Sequence, residues 1–109
     1  MRIVKKIVTH QNVIFSYYET SGLTEWLHPE LMCFGMPEIE ARDFLKHCTE
    51  SVTKMGKVLA KRGTVSWQGQ ELYCAWMPFI HRYILFPPSM AEPLQDFLKK
   101  QYDYTLVLS

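Results

Sequence analysis

The stretch that decides the fold runs from residue 30 to residue 37 and reads ELMCFGMP. Its first five residues form a short apolar run between a proline and a glycine, a pattern typical of a strand that is buried on both faces. Pro37 then stands where a proline is favoured at the first position of a helix, and Glu38 and Glu40 suit the positive end of the helix dipole. We therefore expect a central strand that leads directly into a helix.

The expected helix carries a single apolar stripe. Six residues recur at spacings of three and four and would face a sheet: Ala41, Leu45, Cys48, Val52, Met55 and Leu59. Gly56 suits the left-handed residue that ends many helices, although the helix could also continue to Gly63. We favour an end near Met55.

Strand-forming residues lie on both sides of this unit. Residues 2–9 and 12–20 are rich in β-branched and aromatic side chains around a short polar turn, and they predict a β-hairpin. Residues 64–67 and 71–79 flank a glycine-centred turn and predict a second hairpin. Residues 83–86 predict one more strand.

A second helix is predicted after two consecutive prolines. Residues 89–92 read SMAE, which matches a capping box, and an apolar face follows that consists of Met90, Leu94, Phe97 and Leu98. Residues 104–108 predict a closing strand. Because strands and helices do not alternate regularly, we expect a single α+β domain over residues 1–109, with two helices packed on one face of a mostly antiparallel or mixed sheet.

Composition limits the functional class. The chain has 109 residues, of which 48% are hydrophobic and 21% charged, so it can fold as one globular domain. A net charge of +1 gives no overall field that would attract nucleic acid or an anionic membrane, and neither is an expected partner. No run approaches the roughly 18 apolar residues of a membrane helix, and the N-terminus lacks the apolar core of a signal peptide.

The three cysteines indicate a reducing compartment. Cys33, Cys48 and Cys74 lie in apolar surroundings, and their spacing matches neither a zinc site nor a disulfide framework. They are expected to be reduced, buried thiols of a cytoplasmic protein.

One segment has the character of a site. Residues 22–31 read GLTEWLHPEL and place Thr24, Glu25, Trp26, His28 and Glu30 in a loop between a glycine and the predicted central strand. Polar loops on a rigid scaffold are where binding residues concentrate. We expect these five residues to bind a ligand.

Each candidate has a proposed role. Thr24 and His28 would exchange hydrogen bonds with the ligand, Trp26 would stack on it, and Glu25 or Glu30 would orient the histidine. An anion partner would be supplied by Arg82 or Lys61. A structural alternative stays open, in which His28 bonds to a backbone carbonyl and only shapes the loop.

Several chemistries lack their motifs. No spacing of histidines and cysteines matches a metal site, and the five glycines do not cluster as a phosphate-binding loop requires, so we expect neither a metal nor a cofactor. Ser21 lacks a nucleophile elbow and Cys33 lies in an apolar strand, so no catalytic nucleophile is assigned.

The segments GLTE at residues 22–25, HPEL at 28–31 and FGMP at 34–37 resemble an uncharacterised family of small bacterial and phage domains of unknown function. In that family an aromatic residue often precedes the threonine of a YTxGL segment, whereas residues 19–21 read ETS here. The resemblance implies a shared fold and a shared site, and it implies no activity. The occurrence of the family suggests a phage-encoded anti-defence protein, either a sponge for a signal molecule or an inhibitor of a host protein.

Three functional hypotheses result. The leading one is a non-enzymatic binding module, as a homo-oligomer, for a small polar or nucleotide-like ligand. The second is a small hydrolase or lyase that uses His28 with Glu30. The third is a protein-interaction domain that takes a protein partner and no small ligand.

Overall fold

The computed structural model describes residues 2–10, 12–56 and 62–105. Within these ranges the strands and helices follow one another in an order close to that predicted from the sequence. Their bounds within these ranges are β1 Arg2–His10, β2 Val13–Ser21, β3 Glu30–Phe34, α1 Glu38–Met55, β4 Arg62–Trp67, β5 Gln70–Met77, β6 Arg82–Phe86 and α2 Ala91–Tyr102. Short 3-10 turns at Leu23–Trp26 and Pro88–Met90 precede β3 and α2.

The strands form one mixed sheet in the order β1-β2-β3-β6-β5-β4. Strands β3 and β6 run parallel at its centre, with Glu30 opposite Arg82 and Cys33 opposite Leu85, and the other neighbouring pairs are antiparallel. Each half of the chain is thus a three-stranded antiparallel unit followed by a helix. The α+β class with a mixed sheet is confirmed.

The helices differ from expectation in their placement, because they lie against opposite faces of the sheet. Leu31 and Cys33 of β3 pack in one core cluster with residues of α1, whereas Met32 and Phe34 pack in a second cluster with residues of α2. Successive strand residues point to opposite faces. All five residues of β3 are buried, so each face of the central strand requires its own covering helix.

Helix α1 ends at Met55, as expected. Gly56 adopts φ 66°, and its backbone N–H donates to the last turn of the helix. Ala41, Leu45 and Cys48 of the predicted stripe are buried, but Met55 is exposed, because it lies in the last turn at the margin of the sheet. Leu59 lies outside the described residues. Pro37 occupies the N-cap and not the first helical position.

The second half of the chain agrees in part with the elements predicted from the sequence. The β4–β5 turn is made by Gln68 and Gly69, both with positive φ, as a two-residue hairpin loop requires. The capping box at residues 89–92 does not form: the N-cap is Met90, without a side-chain cap, because the preceding 3-10 turn continues into α2. Of the closing strand predicted at 104–108, residues 104 and 105 are not in a strand and the rest lie outside the described residues.

Neither α1 nor α2, the two α-helices of the described ranges, combines the length and apolar character needed to cross a membrane.

Candidate functional site

The carboxylate of Glu30 binds the backbone at the start of the candidate loop, residues 22–31. Gly22, in the left-handed region at φ 116°, opens the 3-10 turn, and the fully buried side chain of Leu23 anchors it to the core. The backbone N–H groups of Gly22, Leu23 and Thr24 donate to Glu30 over 3.0, 3.1 and 3.2 Å. Glu30 therefore satisfies donors at the start of a helical turn that would otherwise lack partners.

Thr20 completes this buried network. Its hydroxyl donates to Glu30 Oε1 over 2.8 Å and accepts from the backbone N–H of Leu31 over 2.9 Å. Burial by itself would raise the pKa of Glu30, but the hydrogen bonds from Thr20 and from the three N–H groups together lower it below its ordinary value. Glu30 is thus held as a charged, fully engaged carboxylate.

His28 is buried beside this network but is oriented by a different group. Its Nδ1 lies 2.7 Å from the carbonyl oxygen of Pro29, and its ring stacks on that of Tyr83 with 5.7 Å between centroids. None of the hydrogen bonds described for Glu30 comes from His28. The expectation that Glu25 or Glu30 orients the histidine is therefore wrong, and the backbone carbonyl of the structural alternative takes that role.

A second carboxylate, Glu19 on β2, gathers two cations. Lys6 Nζ lies 3.0 Å from Glu19 Oε2, and Arg82 Nε lies 2.7 Å from Glu19 Oε1. Arg82 reaches across β3 and also donates through Nη1 to the carbonyl oxygens of Ile80 and His81. The hydrogen bond and the charge of Glu19 raise the pKa of Lys6. We call Lys6, Glu19 and Arg82 the charged triad.

The triad forms one wall of a cavity of about 290 Å³. The cavity lies at the end of the sheet where β2 ends and β3 and β6 begin, and we call it the charged cavity. Its lining consists of Val4, Lys6, Glu19, Thr20, Ser21, Thr24, Glu30 and Arg82.

A second cavity of about 280 Å³ adjoins the same turn. Its lining consists of Thr24, Leu27, His28, Pro29 and His81, and we call it the imidazole cavity. Thr24 lines both cavities.

The structure thus divides the predicted site residues into three groups. Thr24, Glu30 and Arg82 line the charged cavity, and Thr24 and His28 line the imidazole cavity. Glu25 and Trp26 are exposed on the 3-10 turn and line neither of these two cavities. Lys61 lies outside the described residues.

Sequence reasoning missed Lys6 and Glu19. The available signal is the β1–β2 register, in which Glu19 pairs with Val4, so that Lys6, two residues further along β1, lies diagonally from it on the same face. A glutamate whose side chain is buried in a sheet needs a hydrogen-bonding or oppositely charged partner. This requirement could have indicated the charged triad.

Other chemistries find no support in the described part of the chain. No group of three or more His, Cys, Asp or Glu side chains there could hold a metal ion. The three cysteines are buried thiols, as expected, and burial raises the pKa of each to about 12. Such thiols are not activated nucleophiles.

A scan against protein-family models, a search of curated proteins and a search of solved structures each found no match to this chain. The resemblance based on residues 22–37 accordingly stays a prediction.

Proposed function

We propose that this protein is a non-enzymatic binding module for a small polar ligand with an anionic group, a carboxylate or a phosphate, that is held in the charged cavity. The observation that carries the proposal is the charged triad, in which the buried Glu19 fixes both Lys6 and Arg82 at the wall of the cavity. Fixed cations lose little further conformational entropy when an anion binds.

The charges of the wall favour an anion near the triad. An ammonium has three N–H donors and a guanidinium has five. Lys6 uses one on Glu19, and Arg82 uses one on Glu19 and two on backbone carbonyl oxygens, so each cation keeps two N–H groups for a ligand. Two cations on one carboxylate also leave a net positive charge in the triad. The carboxylate of Glu30 adds a negative charge to the same lining, so the positive charge is local to the triad. The oxygens of Glu30 accept four hydrogen bonds from uncharged donors.

The size of the cavity favours a small ligand. Ligand pockets commonly measure about 300–1,000 Å³, and the charged cavity, at about 290 Å³, is close to the lower limit. The hydroxyl groups of Ser21 and Thr24 on its lining suit a ligand with further polar groups.

Binding accounts for the contacts of the loop better than the hydrolase or lyase alternative does. A general base needs a lone pair within reach of the substrate, whereas Glu30 is engaged by four donors and its pKa is lowered. His28 and Glu30 also lack the mutual hydrogen bond that a catalytic pair would use.

The proposal extends to a cytoplasmic homo-oligomer. The location is supported by the three buried cysteine thiols. A phage-encoded anti-defence role, with the ligand as a sequestered signal or with a host protein as the target, rests on the resemblance at residues 22–37 alone.

The first test is native mass spectrometry of the protein purified from a bacterial host, before and after denaturing extraction. A retained small anion would support the proposal and would also give the subunit count. Thermal unfolding with inorganic phosphate and with a series of small carboxylates then ranks ligand classes, because a ligand that binds only the folded state raises the melting temperature.

Matched variants locate the site. Arg82→Gln should abolish the increase in melting temperature caused by the best anion, whereas Lys100→Gln should preserve it. Lys100 pairs with Asp96 on the exposed face of α2, so its substitution removes the same charge at a place away from the cavity. Equal responses of the two variants, together with no retained molecule, would refute the proposed function.

A further inference from the structure

His28, on the lining of the imidazole cavity, is a buried residue whose Nε2 atom has almost no accessible surface and an unused hydrogen-bonding capacity. His28 is only 4% exposed, and its Nε2 atom has no hydrogen-bond partner among the described residues. Buried polar atoms are nearly always paired in folded proteins, so this nitrogen is an exception that requires an explanation.

The neighbouring carbonyl defines what Nε2 can bind. A carbonyl oxygen only accepts hydrogen bonds, so the contact of Nδ1 with Pro29 requires the proton to be on Nδ1. In the neutral ring, Nε2 then carries a lone pair and acts as an acceptor. The partner that fits this cavity is an N–H or O–H donor.

The walls of the imidazole cavity suit a flat, weakly polar group. Pro29 and the ring of His81 contribute to them, and Leu27 is 97% exposed there. Leu27 and His81 both adopt positive φ, at 58° and 54°, a conformation that is costly for residues other than glycine. An apolar side chain displayed in this way gains contacts if a ring packs against it.

The two cavities lie at the same end of the sheet. Glu30 and Arg82 are paired at the start of the parallel strands β3 and β6, and their chain neighbours Pro29 and His81 line the imidazole cavity. Thr24 lines both cavities, and Arg82 Nη1 donates to the carbonyl oxygen of His81 over 3.2 Å. One elongated ligand that passes over Thr24 can therefore contact both.

We propose that the imidazole cavity is a second subsite of the binding module and that the ligand is a nucleoside 5′-monophosphate whose base carries an exocyclic amino group. The phosphate contacts Lys6 and Arg82, and the ribose hydroxyls lie near Thr24. A local shift of the cavity lining exposes the buried His28 Nε2, to which the amino group donates a hydrogen bond. The phosphate end of this assignment rests on the proposed function, whereas the amino end rests on His28.

The test is isothermal titration calorimetry of the full chain with matched probes. AMP and IMP differ at the 6-position of the base, CMP and UMP at the 4-position, and in each pair only the first presents an amino group there. The wild-type protein should bind AMP or CMP at least about tenfold more tightly than its oxo counterpart, because an oxo group would place an acceptor opposite an acceptor. Ribose 5-phosphate measures the phosphate end by itself.

A variant assigns the preference to His28. His28→Phe keeps a ring to stack on Tyr83 but removes the acceptor, and it should reduce the preference to less than about twofold while the affinity for ribose 5-phosphate stays unchanged. His47→Phe is the control, because the exposed His47 packs against Trp67 and lines neither cavity. It should keep the full preference.

The possible failures are distinguishable. Equal affinities for the amino and oxo members of both pairs in the wild-type protein would overturn the second subsite, whether or not His28→Phe folds. If ribose 5-phosphate still binds in that case, the proposed function stands. If none of the nucleotides binds, the nucleotide assignment is refuted, and the shifts with phosphate and carboxylates decide the proposed function separately.

Discussion

Glu30 and Glu19 are two buried carboxylates on the lining of one cavity, and they are stabilised in different ways. Glu30 accepts hydrogen bonds from a hydroxyl and three backbone N–H groups, all of them uncharged. Glu19 instead pairs with two charged side chains. The first arrangement fixes the backbone of the loop, and the second fixes cations that can contact a ligand.

The difference separates a structural role of Glu30 from the binding role that we propose for the charged triad. Donors on the backbone cannot turn toward a ligand without unfolding the 3-10 turn, so we expect changes at Glu30 to affect stability first. Lys6 and Arg82 have side chains that are 50% and 33% exposed. We therefore expect changes in the triad to affect ligand binding more than stability.

The largest expected effect is that of Glu30→Gln. The amide has one acceptor in place of two and presents an NH₂ group toward buried N–H donors, so the free energy of unfolding should fall by about 3 kcal/mol. Urea denaturation measures this loss. Glu25→Gln, on the exposed side of the same turn, is the control and should change the free energy by less than about 0.5 kcal/mol. Equal effects of both variants would refute the structural role of Glu30.

Acid should remove the same stabilisation. The folded-state pKa of Glu30 is lowered from its ordinary value of 4.5, so its contribution is complete above pH 4.5 and is lost as the pH falls through the lowered folded value. The difference in the free energy of unfolding between wild type and Glu30→Gln should therefore be constant near neutral pH and shrink in acid. A difference that grows on acidification would contradict the sign of this shift.

A smaller loss is expected from Thr20→Val. The substitution removes one donor to Glu30 and leaves the backbone N–H of Leu31 without its described acceptor, so unfolding should become easier by about 2 kcal/mol. Thr64→Val is the matched control, because Thr64 is exposed on β4, at the opposite edge of the sheet from β1. Comparable losses in the free energy of unfolding for the two variants would refute the contribution of Thr20 to the network.

The smallest effect on stability is expected from Glu19→Gln. Ion pairs with partly exposed cations contribute little, so the loss should be about 1 kcal/mol and should decrease in high salt. Anion binding should nevertheless weaken, because Lys6 and Arg82 lose the group that positions them. Calorimetry with the best anion, together with denaturation at low and high salt, would separate the two effects. A stability loss as large as that of Glu30→Gln would abolish the contrast between the two carboxylates.

Local patterns predicted most of the elements correctly. The apolar run at residues 30–34 predicted β3, and the proline, the acids and the glycine at position 56 predicted α1 with its C-terminal end, while its start lies one residue after the predicted one. These signals depend on residues close in sequence, since capping, dipole effects and side-chain periodicity act within a few positions. The capping box at residues 89–92 failed because a preceding 3-10 turn supplied the start of α2.

The candidate site was predicted less completely for a related reason. The loop itself was recognisable from its polar residues, and the structure places Thr24, Glu30 and Arg82 on the lining of one cavity. The partner of His28 stayed open between a carboxylate and a backbone carbonyl, because sequence proximity cannot decide which of the nearby acceptors a ring nitrogen contacts, and the structure shows the carbonyl of Pro29. Lys6 and Glu19 were missed, because their importance depends on a strand register and on Arg82, which is 63 residues from Glu19.

The sequence by itself determined the α+β class, the central buried strand and the position of the polar loop, because each depends on short-range patterns of polarity and backbone preference. Only the tertiary structure decided that the helices cover opposite faces and that β3 and β6 run parallel. It also decided that Glu30 accepts hydrogen bonds from backbone N–H groups, whereas Glu19 pairs with the cations Lys6 and Arg82. Those outcomes depend on contacts between residues far apart in the chain, which form only when the sheet is assembled.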